Sequence, residues 1–484
     1  MIDEPGDFGR DAPLLQAWAR FAASPSRPFT IPGHHRRGGT VSDVLGELLS
    51  GDVPLFGGIA DIKTAHGALA AAERLGAQLW GADWCRYSTG GSTHANQVVA
   101  LAVGRPGDTV LVSRAAHRST LSGLVLAGLR PVWLPVDIDE RLGLPTGVAP
   151  ATVEQALAEH PEAVALFCVE PGYVGTLSDL PSVIALARQR GVPVVVDQAW
   201  GSHLGFHPDY PPHALSLGAD AMVLSAHKTL PAYSQASVVA ACTGRLDPDR
   251  LDRAFEASAT TSPAGTIHAS TDAARALLAS PLAQGLLDRL VRVVDDARGR
   301  LQEEIPGLRT PGPKDFAPGR FDPAKLVLQL DGCGLDGNQL ERALIATGMP
   351  VELADRDTVV PIVTMLDDAD TVAALVDAVV EAAAWLERAP RPRTVFAPWT
   401  QDIPVAALTP REAFFAPHDT VQASRGVGRI SAELVAPYPP GVPVLVPGEV
   451  ISREALTLLR EAAAGGTRIA YAADPTLSTL QVLA

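Results

Sequence analysis

Lys228 follows an apolar run, 221–224, in the hexapeptide Ser225-Ala226-His227-Lys228-Thr229-Leu230. The run reads as a buried strand, which leaves the lysine just past a strand end with a serine and a histidine beside it. An amine so placed can form a Schiff base with an aldehyde, and small hydroxyl and imidazole neighbours can hold a phosphate. Those are the requirements of pyridoxal 5′-phosphate (PLP). A solvated loop can carry the same hexapeptide, so the reading depends on partners elsewhere in the chain. Upstream, Val194 to Val196 run into Asp197, in Val-Asp-Gln-Ala-Trp-Gly. This puts a carboxylate at the carboxyl end of a parallel strand, where open α/β sheets bind their ligands. There it can pair with a protonated pyridine nitrogen, or it can cap the next turn. The spacing from Asp197 to Lys228 fits one helical crossover between neighbouring strands.

Two further segments belong with these. Gly90-Gly91-Ser92-Thr93-His94-Ala95-Asn96 leads into an apolar, helix-compatible run over 97–103. It reads as a glycine turn opening a helix, with N–H groups and hydroxyls aimed at an anion. No Gly-Lys-Ser/Thr follows and no G-x-G-x-x-G is present, so neither a P-loop nor a dinucleotide fingerprint fits. An ordinary helix cap is the other reading. His117, in Ala116-His117-Arg118-Ser119, also follows a strand-like run. Its imidazole can stack on a cofactor ring or serve the fold alone.

In order and spacing these segments resemble the ornithine/lysine/arginine decarboxylases, as do Glu170-Pro171-Gly172-Tyr173-Val174-Gly175 and Asp197-Gln198-Ala199-Trp200. The resemblance continues through Thr260-Thr261-Ser262-Pro263, Asp322-Pro323-Ala324-Lys325-Leu326, Pro410-Arg411-Glu412-Ala413-Phe414-Phe415 and Gly428-Arg429-Ile430-Ser431-Ala432-Glu433. It ends in Pro437-Tyr438-Pro439-Pro440-Gly441-Val442-Pro443 and Pro447-Gly448-Glu449, and Pro32-Gly33-His34 resembles the family's first motif. The match runs from about residue 30 to the last residue and is similar to the family's short form. His35, Gly90 and Gln198 depart from the residues usual at their places.

The resemblance implies the PLP-dependent fold type I. This is an α/β fold whose mostly parallel central sheet is sandwiched by helices, with a small α+β domain and a C-terminal α+β domain. It implies that Lys228 carries PLP and that Asp197 meets the pyridine nitrogen. The turn Gly91-Ser92-Thr93-His94, with Ser225 and His227, would hold the phosphate. His117 and Ala199 would sandwich the ring and Trp200 would border the site. Thr261 would reach the phosphate of a neighbouring subunit, so a homodimer or larger homo-oligomer with shared sites is expected. The implied reaction is decarboxylation of arginine, lysine or ornithine, a step of polyamine metabolism, with Lys228 or His227 returning a proton to Cα. Transamination or oxidation on the same cofactor, and a catalytically silent relative, are the rival readings.

Composition narrows the classes. The chain has 484 residues, 47% hydrophobic and 19% charged, as expected of a globular protein with a large core. A net charge of −15 argues against a nucleic-acid partner and does not oppose a cationic substrate. Cys85, Cys168, Cys242 and Cys333 form no C-x-x-C pair, so neither zinc nor a disulfide framework is expected, and a reducing cytoplasm fits. The first residues lack the apolar core of a signal peptide. The apolar stretch 372–386 is cut by Asp377 and Glu381 and reads as an amphipathic helix, not a membrane span. His203 and His207 are four apart, but Gly205 and Pro208 argue against a metal-binding helix.

The elements that must position these residues follow from periodicity. Helix-like segments at 14–23 and 41–49 make an N-terminal arm, 1–55. The segment 65–80 reads as an amphipathic helix. Strands at 109–112, 132–135, 164–169, 194–196 and 221–224 alternate with helices such as 151–159 and 180–190, and 272–304 reads as long helices. This is the α/β pattern, and it defines a PLP-binding domain over 56–306. A Pro/Gly-rich loop at 307–319 opens a small α+β domain, 307–390, with strands near 326–330 and 359–365 and a helix near 338–347. A proline-rich linker at 389–398 leads to a C-terminal domain, 391–484. Within the small domain Glu352, Asp355 and Asp357 are candidates to face a cationic side chain.

Overall fold

The computed structural model describes residues 8–25, 29, 31–35, 37, 39, 41–52, 60–61, 66–389, 391–392, 395–401, 403–438 and 441–484. Residues 390, 393 and 394 of the expected linker, 439 and 440 of the Pro-Tyr-Pro-Pro-Gly block, and parts of the N-terminal arm lie outside them.

Seven strands form the central sheet: β1 (Trp84–Ser88), β2 (Thr109–Ser113), β3 (Arg130–Leu134), β4 (Leu166–Val169), β5 (Val194–Asp197), β6 (Ala221–Ser225) and β7 (Ser237–Ala241). Their order is β1-β7-β6-β5-β4-β2-β3. The five from β6 to β3 pair in parallel, and β7 runs antiparallel to both neighbours. Five of the strands coincide with apolar runs in the sequence because a sheet covered on both faces needs apolar residues at successive positions. The alternation is visible in the packing. Val194 and Val196 join one core cluster and Val195 the other, and Leu166 and Cys168 divide from Phe167 in the same way. β1 was not foreseen, because Trp-Cys-Arg-Tyr-Ser has no apolar run; its Tyr87 hydroxyl donates to the Ala72 carbonyl at 3.0 Å.

Helices cover both faces. Gly91–Val103, Arg118–Ala127 and Pro248–Ser258 pack mainly in one cluster, and Pro150–Glu159, Leu180–Gln189, Gly265–Ala279 and Pro281–Glu304 in the other. The small sheet Leu328–Gln329, Leu353–Ala354 and Thr358–Val360 is shorter than expected, since Pro361 ends the last strand. It packs with the helices Gly337–Ala346 and Ala369–Trp385. A third core cluster joins the C-terminal residues to Leu142, Leu144, Val174, Phe321 and Val327. The same join contains a buried ion pair. Arg114, just past β2, donates to both oxygens of Glu449 at 2.5 and 3.0 Å and to the Val444 carbonyl at 2.8 Å. No helix among the described residues is long and apolar enough to cross a membrane.

Candidate active site

The parallel strands bring their carboxyl ends to one edge, and the predicted residues gather there. β5 ends at Asp197, β6 ends at Ser225, and His117 follows β2. Asp197 is buried. Its Oδ1 accepts the Ala199 amide at 3.1 Å and its Oδ2 accepts Asn96 Nδ2 at 2.7 Å. Asn96 is fully buried on the helix Gly91–Val103 and also donates to Ser119 Oγ at 2.9 Å. Two neutral donors thus aim the carboxylate while its charge stays available to a cationic ring. Asn96 is the positioning residue that the sequence reading missed. It lay inside the glycine-turn motif, with nothing local to tie it to Asp197.

The glycine turn opens its helix as expected. Gly91 has φ +66, a left-handed conformation that glycine adopts without strain, and its N–H donates to the Gln235 carbonyl at 3.0 Å. Ser92 Oγ lies 2.5 Å from Ser225 Oγ, so hydroxyls from two elements meet at a helix N-terminus. Thr93, on the first turn, is exposed. His227 Nδ1 bonds the Ala236 carbonyl at 2.8 Å, and burial holds its pKa below the usual histidine range.

Among the expected cofactor-binding residues, His94 has its side chain engaged within the protein. One ring nitrogen bonds Ser88 Oγ at 2.7 Å and the other lies 3.2 Å from the Phe255 carbonyl, with the ring edge-on to Phe255. Both nitrogens are engaged inside the protein, so the imidazole serves the fold. The same ring explains Gly90, where a Cβ would meet His94 Cβ at 2.7 Å. Gln198, another departure from the family pattern, is buried and braces a loop: Nε2 donates to the Gly201 carbonyl and Oε1 accepts the Ala214 amide, each at 2.8 Å.

His117 caps the helix Arg118–Ala127, with Nδ1 accepting the Ser119 amide at 3.3 Å. Burial lowers its pKa to about 4 against the pull of Asp197, so the ring is neutral at pH 7. Lys228 is half-buried in the one-turn segment Ala226–Thr229. Its Nζ lies 4.2 Å from the centre of the Trp200 ring and makes no hydrogen bond or ion pair among the described residues. Burial lowers its pKa, opposed by Asp197 and Glu352. Ala199 and Trp200 are buried beside Asp197, and Tyr173 packs on Trp200 with ring centres 5.6 Å apart. Thr261 is exposed on the turn before the helix Gly265–Ala279.

Of the three acidic candidates, Glu352 is the one within electrostatic reach of Lys228 and Lys325. Its carboxyl is raised by desolvation and drawn down by Lys228 and Lys325. Asp355 accepts the amides of Asp357 and Thr358, and Asp357 pairs with Arg356 and Arg391. From the C-terminal part, Tyr438 and Tyr471 come within electrostatic reach of Tyr173, Tyr438 also of Glu352, and Arg118 lies 4.6 Å over the Tyr471 ring. His203 and His207 do not converge: His203 bonds Asp322 at 3.1 Å and His207 lies 3.9 Å from Asp209.

The arrangement fits PLP. A half-buried amine and an oriented carboxylate, neither in an ion pair among the described residues, meet a neutral imidazole and a hydroxyl-lined helix N-terminus at one edge.

The chain matches the family profile "Orn/Lys/Arg decarboxylase, major domain" over residues 12–315 and "Orn/Lys/Arg decarboxylase, C-terminal domain" over 395–468. It is 31% identical to an arginine decarboxylase of Bacillus subtilis, with 98% of each chain covered, and 32% identical to one of Halalkalibacterium halodurans, with 97% of each covered. Its fold is similar to that of the Francisella novicida lysine decarboxylase, with a TM-score of 0.82 at 19% identity, covering 98% of this chain and 81% of that one. On these matches and this geometry, the chain belongs to the Orn/Lys/Arg decarboxylase family, which is PLP-dependent.

Proposed function

We propose that the protein decarboxylates a basic L-amino acid, arginine or lysine first and ornithine next, to its amine and carbon dioxide. The observation that carries this reading is the half-buried amine of Lys228 at the carboxyl edge of the sheet, without a hydrogen bond or ion pair among the described residues, with Asp197 and Trp200 buried beside it. Two arginine decarboxylases at 31% and 32% identity over nearly the whole chain support arginine as the first substrate to assay.

PLP, when bound, would supply an electron sink for the bond broken at Cα. Lys228 would be its covalent anchor. Ser92, Thr93, Ser225 and His227 would hold the phosphate. Asp197, already aimed by Asn96 and Ala199, would keep the ring nitrogen protonated, and neutral His117 would lie on the ring opposite Ala199. Trp200 and Tyr173 would keep water from the reacting bond, which strengthens the electrostatics inside. Glu352 would receive the substrate's cationic end, and its carboxylate form would be favoured once that cation arrives.

The reading includes the four-part division at residues 55, 306 and 390, and a homodimer in which exposed Thr261 reaches the partner's phosphate site. A product screen decides the reaction. PLP-loaded protein is incubated with arginine, lysine and ornithine, and carbon dioxide, amine, keto acid and peroxide are measured. Amine with stoichiometric carbon dioxide is expected; a keto acid without amine would replace this reading with transamination or oxidation.

A further inference from the structure

We propose that Lys325 is a second catalytic lysine of this site, the acid that delivers a proton to the substrate's α-carbon after carbon dioxide has left. The proposal rests on the decarboxylase reading above. Lys325 lies in Asp322-Pro323-Ala324-Lys325-Leu326, far in sequence from every residue of the PLP site, and is 6% exposed. Its backbone is clamped: its N–H donates to the Asp322 carbonyl at 3.1 Å, and its own carbonyl accepts Arg298 Nη2 at 2.7 Å. Its stem passes over Gly175, where a Cβ would come within 2.6 Å of Lys325 Cβ and 2.7 Å of Cγ. The Gly at 175 in Glu170-Pro-Gly-Tyr-Val-Gly is therefore what admits this side chain.

The stem ends with Nζ 4.4 Å from the centre of the Trp200 ring, the same ring that Lys228 Nζ approaches to 4.2 Å. Among the described residues Nζ makes no hydrogen bond or ion pair. The carboxylate of Asp322 is engaged instead by His203 at 3.1 Å and by the Ala324 amide at 2.9 Å. A buried ammonium with no hydrogen bond or ion pair, set against an aromatic face and drawn on only through space by Asp322 and Glu352, is expensive to maintain, and such a group at the same tryptophan ring as Lys228 is a candidate for function. Burial, opposed by Asp322 and Glu352 and reinforced by Lys228, brings its pKa down to about 8, close to working pH, so that it can give up a proton and regain it.

Pairing with the substrate's α-carboxylate is the competing role. A cation held there would stabilise the group that must depart as neutral carbon dioxide, and would oppose cleavage. Proton delivery meets no such conflict. The bond to the carboxylate breaks and its electron pair remains with the substrate. An N–H bond of Lys325 then breaks as the new C–H bond forms at Cα, and the neutral amine takes a proton from water.

The test uses the PLP-loaded enzyme, Lys325→Met and Lys325→Arg. Arginine keeps the charge but does not release a proton at working pH. Both variants should lose at least about a hundredfold in kcat. The ratio of aldehyde to amine product should rise at least about tenfold. The reason is that a proton misdelivered to the cofactor's aldehyde carbon leaves, after hydrolysis, an aldehyde and the aminated cofactor. Rescue by Lys325→Arg would show that charge alone matters and would overturn the proposal, as would a fall in kcat with an unchanged product ratio. A measurement on cofactor-free wild-type protein covers the case of a variant that does not fold. Lysines are dimethylated with 13C-formaldehyde, and the Lys325 resonance, identified by its loss in Lys325→Arg, is titrated. A midpoint near 8 is expected, and one at the ordinary lysine value of about 10.4 would overturn the assignment. Wild-type protein that releases no carbon dioxide from any basic amino acid would instead remove the reading on which the proposal rests.

Discussion

Replacing Asp197 with Asn separates the structural duty of this residue from its chemical one. The carboxylate accepts Asn96 Nδ2 at 2.7 Å on one oxygen and the Ala199 amide at 3.1 Å on the other. An asparagine has only one acceptor oxygen, so its NH2 must face one of those two donors. Leaving a buried donor unsatisfied costs about 1–3 kcal/mol, which the melting temperature of cofactor-free protein should register. Loss of the charge that holds the ring nitrogen protonated should also lower kcat by at least about a hundredfold, roughly 3 kcal/mol of transition-state stabilisation. The double swap Asn96→Asp with Asp197→Asn distinguishes the two effects. It restores an amide–carboxylate hydrogen bond between the same positions but moves the charge off the end of β5. Stability should recover and the rate should not. Near-normal turnover in Asp197→Asn, or recovery of the rate in the double swap, would show that the aspartate acts only as a brace.

Four further outcomes are expected. Borohydride reduction of PLP-loaded protein followed by peptide mapping should place the pyridoxyl group on Lys228, and an adduct on another lysine would remove that assignment. Glu352→Gln should raise KM for arginine at least about tenfold with a smaller change in kcat, since a lost charge-assisted bond is worth about 1.5–3 kcal/mol; an unchanged KM would exclude Glu352 from substrate binding. Glu449→Gln leaves Arg114 buried and uncompensated, both residues being 1% exposed, so urea unfolding should show a loss of about 3–5 kcal/mol, and a loss under about 1 kcal/mol would contradict it. His117, His213 and His268 are each lowered by burial to about 4. An unfolded histidine titrates near 6.5, so between about pH 6.5 and 4 the unfolded chain binds more protons. The associated stability is present above the upper value and lost as pH falls, by up to about 3 kcal/mol per residue. Thermal melts should show His268→Gln with a shallower acid loss than wild type, and an identical slope would refute the attribution.

Much of the scaffold was legible because it is written locally. A strand buried on both faces must be apolar at consecutive positions, so 109–112, 194–196 and 221–224 declared themselves, and each ends where the site lies. Trp84–Ser88 escaped because its burial depends on β7 and on Ala72, not on its own composition. The small sheet came out shorter than its apolar runs because Pro361 withholds a ladder N–H. Gly90 and Gln198 looked like departures at the cofactor. The packing of His94 and the loop at 201–214 explain both, and neither reason can be read from neighbouring residues.

The chain alone determined which residue types stand at the ends of strands: a lysine after Ser-x-His, an aspartate after three valines, a glycine–hydroxyl turn before a helix. Strand ends follow from apolar periodicity, and periodicity is a property of short stretches. Only the tertiary structure decided which groups from distant stretches share a charge or a proton. It set Asn96 on Asp197 and Ser92 against Ser225, and brought Glu352 rather than Asp355 or Asp357 within electrostatic reach of Lys228. It also brought Lys325 to the same tryptophan ring as Lys228. Electrostatic and hydrogen-bond partnerships act through space at a few ångströms, and in an α/β sheet the chain reaches those distances only after crossovers of many residues.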